Sequence, residues 1–478
     1  VKSIKAFLDN TLPLDYFKQD LISILQKLGI SKWHRLNVNQ KTINEIKIER
    51  ISGALTNVIY KVTYKKYHPL LLRIYGANID SIIDRESELK ILAKLSKKNI
   101  GPKLLGCFTN GRFEQFLNNS ITLNHLQIRE PKISRIIARR MKELHTGIIL
   151  DVEEKSMGPM CWNLIFKWID IIEKIFKEKN YSIKQQKDLL IVDFETYKQQ
   201  VLNLKKFLNK NYNNGLYFNE LVFCHNDTQY GNLLFYNPKN EEEYQDNNEN
   251  SDVEEEDLID EIVSGTNSTK FDKKLVVIDF EYSGSNIPAY DITNHFCEWM
   301  ANYHDPEKSY YLDEKMYPSK EERLNFIGSY IQYHAFINNN NNNNNNLNKD
   351  MDDIKKLYNE CILWRPVNSV YWALWGIVKK IEEEEFTKFN INIDKIGGIN
   401  GERYVIKNLG EEEEVNEEEE AEIEENNQVS DDDFDYFKYA LNKNGIFIGD
   451  LIQLNLTEKD IIDKDRLKDV KFMDCEFL

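Results

Sequence analysis

The spacing of apolar residues along the chain changes near residue 43. Before this point, the apolar residues of 3–28 recur at the three- and four-residue intervals of a helix. After it, apolar and polar residues alternate or form short apolar runs, which predicts strands. Helical spacing returns briefly at 84–95. The predicted strands cover 46–51, 58–64, 69–75, 104–108 and 112–116.

Helical spacing dominates the rest of the chain. Only three short stretches there have strand character, at 221–224, 233–235 and 275–279. We therefore expect two units. A β-rich unit with a helix at its start would cover 1–117, and a mainly helical unit would cover 118–478.

Composition marks three stretches that interrupt this plan. The chain has 478 residues and a net charge of −17. Twelve acidic residues lie within 241–261 and fourteen within 411–433, with no lysine or arginine in either, so the remainder carries +9. Nine consecutive asparagines occupy 338–346. Such stretches have no apolar face to bury. The expected disordered insertions, acidic or Asn-rich, cover 238–271, 338–349 and 390–432.

Charge and cysteine content narrow the class of protein. A mildly basic remainder suits an anionic small ligand such as a nucleotide, but its charge is too diffuse to predict nucleic-acid binding. The six cysteines include no Cys-x-x-Cys pair, which favours a reducing compartment. No apolar run reaches the ~18 residues of a membrane span, and the first ten residues lack a signal-peptide core. We expect a cytoplasmic protein that does not span a membrane.

Two short segments carry the candidate chemistry. In the first, Asp227 and Asn232 have the Asp-x-x-x-x-Asn spacing of a kinase catalytic loop, where the aspartate accepts the hydroxyl proton and the asparagine binds Mg²⁺. In the second, an apolar strand ends at Asp279, whose carboxylate would bind Mg²⁺ on the phosphates of ATP. Each segment alone is also what a turn or a capped strand end contains. Together, after a β-rich unit, they indicate phosphoryl transfer.

These segments resemble those of the choline/ethanolamine kinases, and among them the fungal choline kinases. The resemblance rests on His-Asn-Asp-Thr-Gln-Tyr-Gly-Asn at 225–232, on the unbroken block 276–300, and on Asp-Asn-Thr-Leu-Pro at 9–13. It implies an α+β, bilobal protein-kinase-like fold with a small β-rich N-terminal lobe and a larger, mainly helical C-terminal lobe. It also implies ATP and Mg²⁺ as cofactors and raises the expectation of a homodimer.

The resemblance assigns roles within the cleft. Asp227 would be the catalytic base with Gln229 near the phosphates, and Asn232 and Asp279 would be the Mg²⁺ ligands. A loop at 52–57 would cover the phosphates, an arginine on the third strand would contact them and pair with a glutamate on the next helix, and a hinge backbone would meet adenine. The implied nucleotide-binding residues are Ser52, Gly53, Ala54, Thr56, Asn57, Arg73, Glu88, Gln115 and Leu117.

An aromatic pair suggests how the second substrate binds. Trp372 and Trp375 are three residues apart and share a face of a predicted helix. Such a pair is often core packing. However, a quaternary ammonium has no N–H to donate and is best held by aromatic faces, with a carboxylate at longer range. By resemblance, the substrate-binding residues are Tyr282, Glu298 as the counter-charge, Tyr303, Trp372, Trp375, Phe434 and Tyr439.

The expected function is that of an ATP-dependent choline kinase, the first step of the CDP-choline route to phosphatidylcholine. An ethanolamine kinase, or an enzyme with both activities, is the nearest alternative. An aminoglycoside-type phosphotransferase would instead need an acid-lined pocket. A catalytically dead kinase-fold scaffold is a fourth possibility, which the intact Asp227, Asn232 and Asp279 argue against.

Overall fold

The β-rich part of the chain forms one six-stranded sheet. Its strands are β1 (Ser3–Ile4), β2 (Ile46–Gly53), β3 (Asn57–Tyr64), β4 (Leu70–Tyr75), β5 (Leu104–Phe108) and β6 (Gly111–Gln115). Their order across the sheet is β1-β5-β6-β4-β3-β2. Neighbouring strands are antiparallel, except that β1 and β5 are parallel. All five predicted strands are therefore confirmed.

The computed structural model describes residues 1–53, 57–75, 91–92, 94–95, 100–118, 120–236, 269–333, 344–393 and 434–478.

The first helix, α1 (Leu14–Leu28), is shorter than the sequence pattern predicts. A proline, Pro13, precedes it, and a proline disfavours helical backbone in the residue before it. Ser3–Ile4 pairs with β5 instead. Gly29 ends the helix with a left-handed φ of 72°. The predicted helix over 84–95 lies mostly outside the described residues, although 91–92 and 94–95 are helical.

The rest of the described chain is mainly helical, as predicted. Five short strands interrupt it: β7 (Ser120–Thr122), β8 (Val222–Cys224), β9 (Leu233–Tyr236), β10 (Leu275–Val277) and β11 (Gly284–Asn286). The helices are α2 (Gln40–Glu45), α3 (Pro131–Gly147), α4 (Val152–Ser156), α5 (Met160–Glu178), α6 (Ile183–Leu190), α7 (Phe194–Asn209), α8 (Thr269–Asp272), α9 (Pro288–Glu298), α10 (Lys320–Ile331), α11 (Asn344–Ile393) and α12 (Tyr436–Gln453).

Two hydrophobic clusters of buried residues organise these elements. One packs α1 against the six-stranded sheet and runs from Leu8 to Phe113. The other fills the helical part, runs mainly from Leu123 onward and includes four fully buried tryptophans. The second cluster also includes Ile91, Leu104 and Cys107 from before residue 117, so the division near residue 117 stays a prediction.

The C-terminal segment after α12 lies across the long helices. The backbone N–H of Lys471 donates to Gly445 O at 3.0 Å. Arg365 of α11 is fully buried, donates to both oxygens of Asp450 on α12 at 2.6–3.1 Å, and reaches the carbonyl of Asp474 at 2.7 Å. The segment therefore ties α11 to α12. These are the two helices that carry the predicted tryptophan pair and the last aromatic residues.

The predicted insertions extend too far at three edges. Residues 269–271, 344–349 and 390–393 are helical, as parts of α8 and α11. Helical hydrogen bonding thus continues into polar flanks that the composition assigned to the insertions. The remainder of each predicted insertion lies outside the described residues. Among the described helices, none is both long and apolar enough to cross a lipid bilayer.

Candidate active site

Two neighbouring antiparallel strand pairs bring the predicted catalytic residues together. β8 pairs with β11, and β9 pairs with β10, both antiparallel. The ladder between β9 and β10 ends with the N–H of Ile278 donating to Asn232 O at 3.0 Å. Asn232 therefore lies beside the end of the strand that leads to Asp279. Residues that are far apart in sequence become neighbours through strand pairing alone.

Asp227 and Asn232 are joined directly. Asn232 Nδ2 donates to the backbone oxygen and to Oδ2 of Asp227, each at 2.9 Å. Burial raises the pKa of the Asp227 carboxyl well above its usual value. The carboxylates of Glu298, Asp279 and Glu281 raise this pKa further, and the hydrogen bond from Asn232 opposes them. The half-buried site thus concentrates negative charge, which suits cations.

Helix α9 holds the catalytic loop in place through its buried face. Asp291 Oδ2 accepts the N–H of His225 at 2.9 Å, and Oδ1 accepts the N–H of Asn226 at 2.8 Å. One turn later, Asn294 Oδ1 accepts the N–H of Thr228 at 2.8 Å, and His295 Nδ1 lies 2.9 Å from Thr228 O. The i, i+3, i+4 spacing places all three side chains on one helix face. The loop that carries Asp227 is therefore bonded on both of its flanks.

Two non-glycine residues of the site have left-handed backbone. Asn226 has φ 66° and Asp279 has φ 63°. Such conformations cost roughly 1–3 kcal/mol and persist where the surroundings hold them. Asn226 is held by its side chain, which donates to Tyr282 O at 2.9 Å and accepts from Asn286 at 3.0 Å. These bonds also connect the loop before Asp227 to the loop after Asp279.

The predicted phosphate-contacting arginine reaches the predicted metal ligand Asp279. Arg73, on β4, lies 3.5 Å from Asp279 Oδ1 and 3.8 Å from Glu114. This contact links the six-stranded sheet to the segment that follows β10, and sequence reasoning did not predict it. The proposed partner Glu88 lies outside the described residues, so the Arg73–Glu88 pair stays a prediction.

The other described nucleotide-binding candidates lie at strand ends or just beyond one. Gln115 is the last residue of β6, and its backbone N–H donates a hydrogen bond to Lys103 O at 2.8 Å. The carbonyl oxygen of Leu117 accepts a hydrogen bond from Ser120 Oγ at 2.8 Å. Ser52 and Gly53 end β2, and Asn57 begins the paired strand β3. Ala54 and Thr56 lie outside the described residues. The predicted phosphate-covering role of residues 52–57 stays a prediction.

Gln229 has a local role within the loop. Its Oε1 accepts the N–H of Gly231 at 2.9 Å, which caps the 3-10 turn 230–232. A Cβ on Gly231 would lie 2.8 Å from the same oxygen, so a larger residue there would displace the Gln229 side chain. This contact supports loop shape, and the predicted role of Gln229 at the phosphates stays a prediction.

The predicted substrate-binding aromatics form one connected cluster beside Asp227. The Tyr282, Trp372 and Trp375 rings lie 5.3–6.5 Å apart pairwise, and Trp375 Nε1 donates to Tyr282 OH at 2.8 Å. Tyr439 lies 6.1 Å from Trp375, and Phe434 bridges Tyr439 and Tyr303 at 5.4 and 6.2 Å. All six predicted rings are therefore brought together. We call them the aromatic cage: Tyr282, Tyr303, Trp372, Trp375, Phe434 and Tyr439.

Three residues around this site were missed by sequence reasoning. Tyr436 packs its ring 5.7 Å from Trp375. Lys443 Nζ lies 3.2 Å from Glu298 Oε1, deep under the cage. Asp291 anchors the catalytic loop. The only sequence signal for Asp291 is an acid within the mostly apolar start of a helix, and Lys443 gives none, because it sits among polar neighbours.

The donors at the site fit the cofactors that the sequence implies. Because Nδ2 of Asn232 is committed to Asp227, its Oδ1 is the amide atom that can bind a metal. With a carboxylate oxygen of Asp279 it provides two hard oxygen ligands, the kind that Mg²⁺ prefers. Arg73 supplies a buried cation next to them for a phosphate oxygen.

Comparison with known proteins decides the family. Residues 48–447 match the family model for choline/ethanolamine kinase, and residues 1–37 match that for the choline kinase N terminus. The chain belongs to the choline/ethanolamine kinase family. The resemblance predicted from the sequence is thereby confirmed.

Relatives of this choline/ethanolamine kinase family member come from several eukaryotes. It is 39% identical to a choline kinase of Saccharomyces cerevisiae over 99% of this chain and 82% of the relative. It is 34% identical to an ethanolamine kinase of the same yeast, over 96% and 81%. A choline kinase of Schizosaccharomyces pombe is 33% identical over 80% and 81%.

Solved structures confirm the fold predicted for this family member. A Plasmodium vivax ethanolamine kinase matches with a TM-score of 0.54 at 24% identity, covering 78% of this chain and 86% of that one. A Cryptosporidium parvum choline kinase also gives 0.54, at 20% identity, covering 92% and 97%. These likenesses bear on the fold alone. The bilobal kinase-like architecture is therefore that of the choline/ethanolamine kinases.

Proposed function

We propose that this member of the family is an ATP-dependent choline kinase. It would transfer the γ-phosphate of ATP to the choline hydroxyl and release phosphocholine and ADP. The observation that carries this proposal is the aromatic cage beside Asp227. Tyr282 belongs to the cage, and its carbonyl is hydrogen-bonded to Asn226, the residue before Asp227. A short amino-alcohol held in the cage would therefore present its hydroxyl close to the candidate base.

Each reacting part has a residue to position it. The choline oxygen forms the new bond to phosphorus, the bond from the γ-phosphorus to the leaving oxygen of ADP breaks, and Asp227 Oδ accepts the hydroxyl proton. Asn232 donates to that carboxylate, which orients it. Bound Mg²⁺ would neutralise the phosphate charge, with Asn232 and Asp279 as its protein ligands. Arg73 adds a fixed positive charge beside Asp279.

The cage favours choline over ethanolamine as the better substrate. A trimethylammonium is held by ring faces through cation–π attraction, roughly 0.5–2 kcal/mol for each good contact. A primary ammonium must instead replace its lost water with hydrogen-bond acceptors. The cage offers mainly ring faces, which supports choline. The 34% identity to a yeast ethanolamine kinase supports ethanolamine as a second, slower substrate.

The test is phosphorylation of choline and ethanolamine side by side with MgATP. Wild-type protein should turn over choline with the higher kcat/KM. Asp227→Asn should lose kcat by about 10²–10⁴-fold, the usual contribution of a general base. Asp465→Asn removes an exposed carboxylate in the same lobe and should leave kcat unchanged. Higher kcat/KM for ethanolamine would overturn the choice of substrate, and no turnover of either would overturn the function.

Three further expectations belong to this proposal. The metal is Mg²⁺, as the oxygen ligands favour. The protein acts in the cytoplasm, and it forms a homodimer. The family membership of the chain supports all three. Metal titration would test the choice of Mg²⁺, cell fractionation would test the location, and sedimentation would test the homodimer.

A further inference from the structure

A lysine lies buried beneath the aromatic cage. Lys443, on α12, places Nζ 3.2 Å from Glu298 Oε1 and 5.4 Å from the centre of the Tyr439 ring. Its side chain is 0% exposed and that of Glu298 is 2% exposed. A fixed cation under a pocket for a cationic substrate would repel that substrate unless something balanced it. Glu298 supplies the balance.

Both oxygens of the same carboxylate already have a partner within the protein. Glu298 Oε2 accepts the hydroxyl hydrogen of Tyr303 at 2.5 Å, while Oε1 faces Lys443. One oxygen therefore neutralises a lysine and the other orients a cage ring. Glu298, which the sequence predicts as the counter-charge for the substrate, is thus already paired with other groups of the protein.

This arrangement affects the two amines differently. A quaternary ammonium gains from ring faces and needs no acceptor. A primary ammonium carries three N–H donors, and a buried donor without an acceptor is strongly disfavoured. An occupied carboxylate therefore penalises ethanolamine and leaves choline nearly unaffected. Rejecting the competitor in this way is a common route to specificity.

We propose that Lys443 is a specificity-determining positioning residue, which rests on the proposed function of the site. By pairing with Glu298, Lys443 withholds that carboxylate from primary ammonium groups and keeps the Tyr303 ring in the cage. The aromatic cage then recognises the substrate through its methyl groups and its diffuse positive charge. Lys443 acts through Glu298 and Tyr303 and does not touch the reacting atoms.

The first experiment measures kcat/KM for choline and for ethanolamine in Lys443→Met. Without Lys443, Glu298 can accept hydrogen bonds from a primary ammonium group. The ratio of kcat/KM for choline to kcat/KM for ethanolamine should then fall by about tenfold or more, because a hydrogen bond to a charged group strengthens ethanolamine binding by at least that factor. Lys443→Arg keeps the charge and should keep the wild-type ratio. Lys438→Met removes an exposed lysine of the same helix and should also keep it. An unchanged ratio in folded Lys443→Met would overturn the proposal.

A second variant keeps the proposal testable if Lys443→Met does not fold. Glu298→Gln leaves the Lys443 cation unbalanced beneath the cage, so KM should rise by about tenfold or more for both amines, since an unpaired buried charge repels a cation. KM for ATP should not change. An unchanged KM for choline would refute the role of Lys443. Failure of the wild-type protein to phosphorylate choline refutes the proposed function instead, so the two failures are distinguishable.

Discussion

Asp291→Asn should free the catalytic loop without changing the shape of the side chain. The carboxylate is fully buried and accepts the backbone N–H groups of His225 and Asn226, one on each oxygen. His145 Nε2 also lies 2.9 Å from Oδ2. An asparagine has one acceptor oxygen and one NH₂ group. Whichever way it turns, the NH₂ faces a backbone N–H of the loop.

The size of the effect follows from these contacts. One hydrogen bond to a charged group is lost, worth about 1.5–3 kcal/mol, and its buried N–H is left without an acceptor at a further cost of about 1–3 kcal/mol. The two costs add to about 2.5–6 kcal/mol, so local opening of the loop should become easier by about 4 kcal/mol. At about 1.4 kcal/mol per factor of ten, this is two to three orders of magnitude.

The effect should depend on pH. Burial alone would raise the pKa of the Asp291 carboxyl, but the hydrogen bond and charge of His145, with His225, outweigh it and keep the pKa below its usual value. A lowered folded-state pKa stabilises the protein above the unfolded value, near 4, and this contribution is lost as pH falls through the folded-state pKa. The difference between wild type and Asp291→Asn should therefore narrow below about pH 4.

Amide hydrogen exchange of the peptide 222–235 measures the opening directly. At pH 7 the variant should exchange there about 100- to 1000-fold faster, and kcat should fall because Asp227 sits on the same loop. Asp465→Asn is the control and should match wild type in both. Exchange within threefold of wild type at pH 7, or a difference as large at pH 3 as at pH 7, would refute the reasoning.

Three further changes test the packing and the cage. Arg365→Met leaves Asp450 buried without its partner and should destabilise the protein by about 3–5 kcal/mol in chemical denaturation; a loss under 1 kcal/mol would contradict this. Gly449→Ala places a Cβ 1.9 Å from Lys471 O, so the free energy of unfolding should fall by about 1–3 kcal/mol. Limited proteolysis should then cut the C-terminal segment sooner, and an unchanged cleavage rate would count against the close contact. Trp375→Leu should raise KM for choline by about 2- to 30-fold, the loss of one cation–π contact, with KM for ATP unchanged; an unchanged KM for choline would remove Trp375 from the cage.

The sequence predicts those parts of the fold that local patterns determine. Alternation at 46–51 and short apolar runs elsewhere identified every strand of the large sheet except β1. The spacing of Asp227 and Asn232 predicts that the two side chains lie together, and hydrogen bonds do join them. The tryptophans at i and i+3 do meet at one helix face. In each case, neighbours in sequence carry the information.

Contacts that only the tertiary structure creates were not predictable in this way. The Lys443–Glu298 pair joins two helices, and nothing near either residue in sequence indicates the other. β1 was mistaken for helix because Ile4 and its neighbours have apolar spacing compatible with α1, and the pairing partner Phe108 is far along the chain. The insertion edges at 269–271 and 344–349 were misjudged because composition reports the average of a stretch rather than where a helix starts.

The β9–β10 hairpin also has a consequence for how this family member can change in evolution. Its strands are paired from Leu233 with Val277 to Phe235 with Leu275, yet the chain between Tyr236 and Thr269 joins them at the end away from Asn232 and Asp279. The entropy of closing such a connection grows only with the logarithm of its length, about 0.6 kcal/mol for each doubling. Lengthening that connection should therefore cost the fold little stability. It is a place where length and composition can drift while the geometry of phosphoryl transfer stays constant.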